Sequence, residues 1–181
     1  MMRARTLLGA AILALAPAWA AAEVVDSSAN GFTVKVAVTI QAPPAEIYRR
    51  LIHNVGDWWS PTHTFSGDAH NLTIEEKPMG CFCEKLPGGG SVRHMEVVYL
   101  APGKGLGLSG ALGPLQAMAA TGSMRFQIAP AEGGSRLEVT YAVGGYLKAG
   151  LDTWAKPVDA VLLEQVTRLK NYMEHGDPSP K

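Results

Sequence analysis

A series of strands followed by one long terminal helix constrains this chain more than any other feature. From Val158 onward, Val158, Val161, Leu162, Val166, Leu169 and Met173 recur at three- and four-residue steps, with Gln165 the exception in the stripe. That spacing is the 3.6-residue period of a helix lying with one face on an apolar surface. It predicts a helix roughly from Thr153 to His175, with Pro157 early enough for the first turn to tolerate it or kink there. A lone helix of this length needs something broad to cover, and only a sheet built from the preceding strands supplies it. Sheet and helix together leave a groove between them.

The strands are written in the alternation of the sequence. Phe32, Val34, Val36, Val38 and Ile40 alternate with smaller or polar residues and read as a half-buried strand. Pro43, Pro44 and Glu46 end it and open a short helix, because proline suits a first turn and a carboxylate suits its positive end. Trp58 and Trp59 begin a second short helix or turn. Strands are then expected over Leu72–Lys77, Cys81–Leu86 and Ser91–Leu100, with the second and third joined by the Pro87–Gly90 turn. A short strand over Leu106–Ser109 and two alternating strands around Met124–Ile128 and Leu137–Val143 complete the sheet. The expected fold class is α+β, an antiparallel sheet of six to seven strands wrapped around the C-terminal helix.

The first 22 residues stand apart. Arg3 and Arg5 precede an uncharged apolar run from Leu7 to Leu15, and Pro17 then breaks it before Ala18-Trp19-Ala20-Ala21-Ala22. This is the pattern of a secretory signal peptide cleaved after Ala20 or Ala22, and the run is well short of the ~20 residues of a membrane span. The remaining divisions are one domain over 23–175 and a disordered tail over 176–181. Of the 16 basic residues, cleavage removes Arg3 and Arg5 and leaves 14 against 16 acidic ones. The near-neutral mature chain carries no basic patch, which argues against nucleic acid as a partner. The expected address is the periplasm or the medium, with no membrane anchor after cleavage.

Several segments mark a known fold. They are Ile40-Gln-Ala-Pro-Pro-Ala-Glu-Ile-Tyr-Arg-Arg-Leu51, then Trp58-Trp59, then Val97-Val-Tyr-Leu-Ala-Pro-Gly-Lys104, and finally Thr140-Tyr-Ala-Val143. In these the chain resembles the START-like (SRPBCC) superfamily, in its polyketide cyclase/dehydrase and heat-shock-ATPase-activator-homologue branches. The resemblance runs from about Phe32 to Met173, nearly all of the mature chain. It implies the helix-grip fold, in which the sheet curls round the long helix and encloses a hydrophobic cavity. Members of the superfamily serve as lipid carriers, aromatase/cyclases, hormone receptors or co-chaperone-like modules, and fold alone does not choose among them.

Few residues in the sequence point to chemistry. Gly105-Leu-Gly-Leu-Ser-Gly110 matches G-x-G-x-x-G, but Gly113-Pro114 follows where a helix would have to start, so no dinucleotide site is expected. No cofactor is expected at all. The segment from Gly110 to Ala120 is either a lid bearing Leu112, Leu115 and Met118 or a glycine-rich connection with its leucines in the core. Trp58 and Trp59 are adjacent and cannot face the same way, so one belongs in the core and the other either lines the pocket or its mouth, or the pair serves packing alone.

Cys81 and Cys83 leave one face of a single strand. Pairing Leu86 with Ser91 sets Cys83 opposite His94 and Cys81 opposite Glu96. Two thiols, an imidazole and a carboxylate on one face would suit a metal or redox site. A one-residue register slip moves His94 to the other face. Two cysteines so spaced, about 6.6 Å apart in an extended strand, can also form a tight disulfide or simply pack. The i, i+2 pairs His94/Glu96 and Asp68/His70 are candidates for acid/base work.

The function expected is binding of a small hydrophobic or amphipathic molecule between helix and sheet. Its pocket is drawn from Val36, Val38, Trp58, Trp59, Leu112, Phe126, Tyr141, Leu162 and Val166. The enzymatic alternative, cyclase- or dehydratase-like, adds Cys81, Cys83, His94 and Glu96 to that cavity. A third alternative is a protein-interaction module.

Overall fold

The computed structural model describes residues 21–179. The expected signal peptide, apart from Ala21 and Ala22, and the last two residues of the tail lie outside the described residues.

Eight antiparallel strands form one open sheet: β1 (Ala21–Ser28), β2 (Gly31–Ile40), β3 (Leu72–Ile74), β4 (Cys81–Lys85), β5 (Ser91–Ala101), β6 (Gly105–Gly110), β7 (Ala119–Ala131) and β8 (Gly134–Tyr146). Their order across the sheet is β1-β2-β8-β7-β6-β5-β4-β3. Three helices accompany them: α1 (Pro44–His53), α2 (Val55–Trp58) and the long α3 (Ala155–His175). The architecture is α+β, a helix-grip fold. The alternation in β2 is realised as Phe32, Val34, Val36, Val38 and Ile40 in the core, paired with the equally regular β8.

The count of eight exceeds the expected six to seven because of β1. This edge strand pairs only with β2, is interrupted by a bulge between Val24 and Asp26, and carries Glu23, Asp26, Ser27 and Ser28. Little apolar alternation survives in such a strand, so its sequence reads as the end of a leader. The strand expected over Leu72–Lys77 stops at Ile74, and the turn beyond it holds Met79 at a φ of 58°.

Helix α3 continues directly from a 3-10 turn over Leu151–Trp154 and ends at Gly176, whose left-handed φ of 75° lets its amide reach back to the Tyr172 carbonyl at 2.9 Å. Just past it, Asn171 donates a side-chain bond to the Ser179 carbonyl at 3.1 Å. The C-terminal half of α3 is fastened to the end of β2. Lys170 donates to the Thr39 carbonyl at 2.8 Å, and Glu174 accepts the Gln41 amide at 2.9 Å. Tyr172 bridges to the other helices, donating to Asp57 at 3.0 Å and accepting from Arg50 at 3.1 Å. Leu162, Val166 and Leu169 supply the buried stripe. No helix among the described residues is long and apolar enough to cross a membrane.

Candidate functional site

Where the C-terminal half of α3 is fastened down, its N-terminal half stands over empty space. A cavity of about 420 Å³ lies between Trp154, Pro157, Val158, Val161 and Leu162 of that half and the β3–β5 side of the sheet. Its volume falls in the usual range for small-molecule sites. The opposite wall is Leu72, Phe82 and His94, with Tyr141 from β8. The segment Trp59–Phe65 and the 3-10 turn beginning at Gly113 close the sides through Trp59, Phe65, Leu112, Pro114 and Leu115. The Gly110–Ala120 segment contributes to both core and cavity. Leu115 is buried in the core, while Leu112, Gly113 and Pro114 also face the cavity.

Of the expected pocket residues, Trp59, Leu112, Tyr141 and Leu162 stand on this wall. Val36, Val38, Trp58, Phe126 and Val166 are buried in the core and do not line the cavity. Periodicity identifies the inward face of a strand or helix, but where that face meets filled or empty space depends on the whole assembly. Trp58 and Trp59 are both buried, with ring centroids 5.4 Å apart; Trp59 alone of the two reaches the cavity, and Arg168 of α3 donates to the Trp58 carbonyl at 2.9 Å.

The hairpin does not pair as counted from the sequence. Cys81 stands opposite Glu96 and Phe82 opposite Met95, but Cys83 stands opposite Arg93. One extra residue on β5, His94, has no partner on β4. The bulge turns His94 to the face of Phe82 and Glu84, away from the cysteines. Cys81 and Cys83 are joined by a disulfide with their Cα atoms 5.2 Å apart, shorter than an extended strand would allow. Neither sulfur is left as a thiol, and among the described residues no group of three or more His, Cys, Asp or Glu side chains is placed to hold a metal ion. Glu96 meets Arg93 at 3.2 Å rather than His94. Asp68 accepts the His70 backbone amide, and the His70 side chain is largely exposed.

The bulge brings His94 to a residue the sequence gave no reason to choose. Glu84 is 0% exposed and His94 5% exposed, and the Glu84 carboxylate meets His94 Nε2 at 3.0 Å. The carboxylate also accepts the Phe65 amide at 3.1 Å and the Ser66 amide. Burial opposes the charge on Glu84, yet these donors together with the imidazole outweigh it and hold the carboxyl below its ordinary value. Burial lowers the His94 pKa from 6.5, against the opposing pull of Glu84. A neutral imidazole beside an ionised carboxylate, which can only accept, must carry its hydrogen on Nε2. Nδ1 keeps a lone pair, which meets the side-chain amide of Gln116 at 3.3 Å. The ring contacts both Phe82 and Phe65, at centroid distances of 5.2 and 5.9 Å, and Phe65 itself is 56% exposed. Glu84 shares the inward face of Phe82 by simple alternation along β4, but a carboxylate in a β-strand normally marks the wet face; the bulge in β5 supplies its partner.

No family model matches the sequence, and no curated protein matches it. Solved structures share its fold. The conserved protein of unknown function EF2215 from Enterococcus faecalis superposes with a TM-score of 0.60 at 18% identity, over 89% of this chain and 80% of its own. DynU16, from the dynemicin biosynthetic locus, gives 0.58 at 18% identity over 82% of this chain and 49% of its own. The Aha1 dimer from Colwellia psychrerythraea gives 0.52 at 18% identity over 80% and 97%. At these identities the likeness is one of fold.

Proposed function

We propose that this chain is an exported START-like protein that binds a small hydrophobic or amphipathic molecule in the cavity under the N-terminal half of α3. The observation that carries the proposal is the cavity itself, a space of about 420 Å³ walled chiefly by Trp59, Phe65, Phe82, Leu112, Val161 and Leu162. A well-packed core contains few voids larger than a water molecule, so a space of this size faced with apolar side chains is suited to an apolar guest. Burying about 300 Å² of ligand at ~25 cal/mol/Å² contributes roughly 7 kcal/mol, against an association cost of at least ~4 kcal/mol. Apolar contact alone therefore gives weak binding, and a tight ligand needs a polar anchor as well.

The disulfide between Cys81 and Cys83 agrees with an oxidising compartment. N-terminal sequencing of the exported protein should begin at Ala21 or Glu23; a retained Met1 in the cytosol contradicts export. Native mass spectrometry of protein purified from its own host should show a retained apolar adduct. A preparation that carries none and takes up no apolar probe contradicts the binding function.

A further inference from the structure

We propose that the Glu84–His94 pair is the polar anchor of this cavity and selects a ligand carrying a neutral hydroxyl, phenolic or alcoholic, over one carrying a carboxylate. The proposal rests on the cavity being the binding site and adds the chemical class of what it holds.

Most of the other polar side chains on the wall already have partners in the protein. Tyr141 donates its hydroxyl to the Gly110 carbonyl and accepts the Leu112 amide, both at 3.2 Å. Trp59 gives its indole N–H to the His63 carbonyl at 3.0 Å, and the His63 ring meets Glu164 at 3.0 Å. Thr64 donates to the Pro61 carbonyl at 2.7 Å, and Thr62 shares a bond with Ser60 at 2.9 Å. His94 Nδ1 differs. Its one partner is the amide of Gln116, an exposed residue, at the longest of these separations, 3.3 Å. A guest that donates a hydrogen bond can displace that amide with little loss, since Gln116 is free to turn to water.

The sign of the preference follows from Glu84. Its charge behind the ring fixes the hydrogen on Nε2 and enriches Nδ1 as an acceptor, so the wall presents a lone pair backed by negative charge. A hydroxyl donates to that lone pair. A carboxylate can only present lone pairs of its own and must shed its water to enter an apolar space. The phenyl rings of Phe65 and Phe82 beside the imidazole favour a flat aromatic body next to the hydroxyl.

Three probes of one shape separate the terms: naphthalene, 2-naphthol and 2-naphthoate, titrated near neutral pH against the mature chain with its disulfide intact. One added hydrogen bond should make 2-naphthol about fivefold tighter than naphthalene, with 2-naphthoate no tighter than naphthalene. In protein with ¹⁵N-labelled histidine, the His94 Nδ1 resonance should move with 2-naphthol and stay with naphthalene. Gln116→Ala, a change at an exposed side chain, should keep or enlarge the preference for 2-naphthol. His94→Phe should abolish the preference, leaving 2-naphthol no tighter than naphthalene. Equal affinities for naphthalene and 2-naphthol, or a 2-naphthoate that binds as well as 2-naphthol, overturn the anchor and leave the cavity proposal standing. Loss of the preference in Gln116→Ala overturns it too, by moving the contact from His94 to Gln116. If none of the three probes binds, both proposals fall together.

Discussion

The side-chain oxygen of Gln165 accepts the backbone amide of Ser60 at 2.8 Å, tying the middle of α3 to the segment that walls the cavity. Both residues are buried, and Arg168, one turn on, holds the carbonyl of Trp58. The polar residue that interrupts the apolar stripe of α3 is thus the one that fixes the tryptophan turn beneath it. Gln165→Ala leaves the Ser60 amide buried without an acceptor, a loss of about 1–3 kcal/mol. The variant should melt roughly 2–12 °C lower than the parent, and an unchanged melting temperature would show the bond to be dispensable.

Acid should act on the Glu84–His94 pair in two stages. The His94 pKa is lowered in the folded chain, so the unfolded chain binds the extra proton first. Stability is then full above 6.5 and declines as pH falls below that value. The Glu84 pKa is also lowered, so its contribution is present above 4.5 and declines below it. Thermal melts across this range should show a plateau above 6.5 and a descent beneath it, with the upper part of the descent flattened in His94→Phe. Stability that holds constant from pH 6.5 down to about 5 contradicts a buried neutral imidazole.

The disulfide lies on the side of β4 opposite Phe82 and Glu84, the residues that turn toward the cavity and the core. A thiol assay on the unfolded, unreduced protein should find no free thiol. A Cys81→Ser, Cys83→Ser double variant should lose only about 1–2 kcal/mol, because the closed loop is so short. Its affinity for an apolar probe should stay within about twofold of the parent; a larger drop would mean that the bridge sets the shape of the cavity wall.

Some of this was legible in the residues alone, and the limit is physical. The inward faces of β2, β7 and β8 and the span of α3 follow from a periodicity that secondary structure imposes on any sequence. Such a pattern says which side of an element is buried, and Val36, Val38 and Val166 are buried as it indicates. It does not say where the buried side is left unfilled, and the cavity sits elsewhere, under Val158, Val161 and Leu162. The position of His94 turned on a single extra residue in β5. The turn closes one residue tighter than counted, with Lys85 rather than Leu86 opposite Ser91, and the bulge at His94 restores the counted register at Phe82 and Cys81; neither irregularity carries much sequence signal of its own. Glu84 became significant only once His94 was known to face it.

Val161 offers the most direct test of ligand binding in the cavity, because it faces that space and is only partly buried, so a larger side chain there fills the void without displacing the core. Titration of the unmodified protein and of Val161→Trp with a fluorescent aromatic probe such as 1-aminoanthracene should give saturable, one-to-one binding to the first. The variant should melt like its parent and bind at least about tenfold more weakly. Absence of saturable binding to the unmodified protein, or equal binding to a folded Val161→Trp, would contradict a binding site under α3.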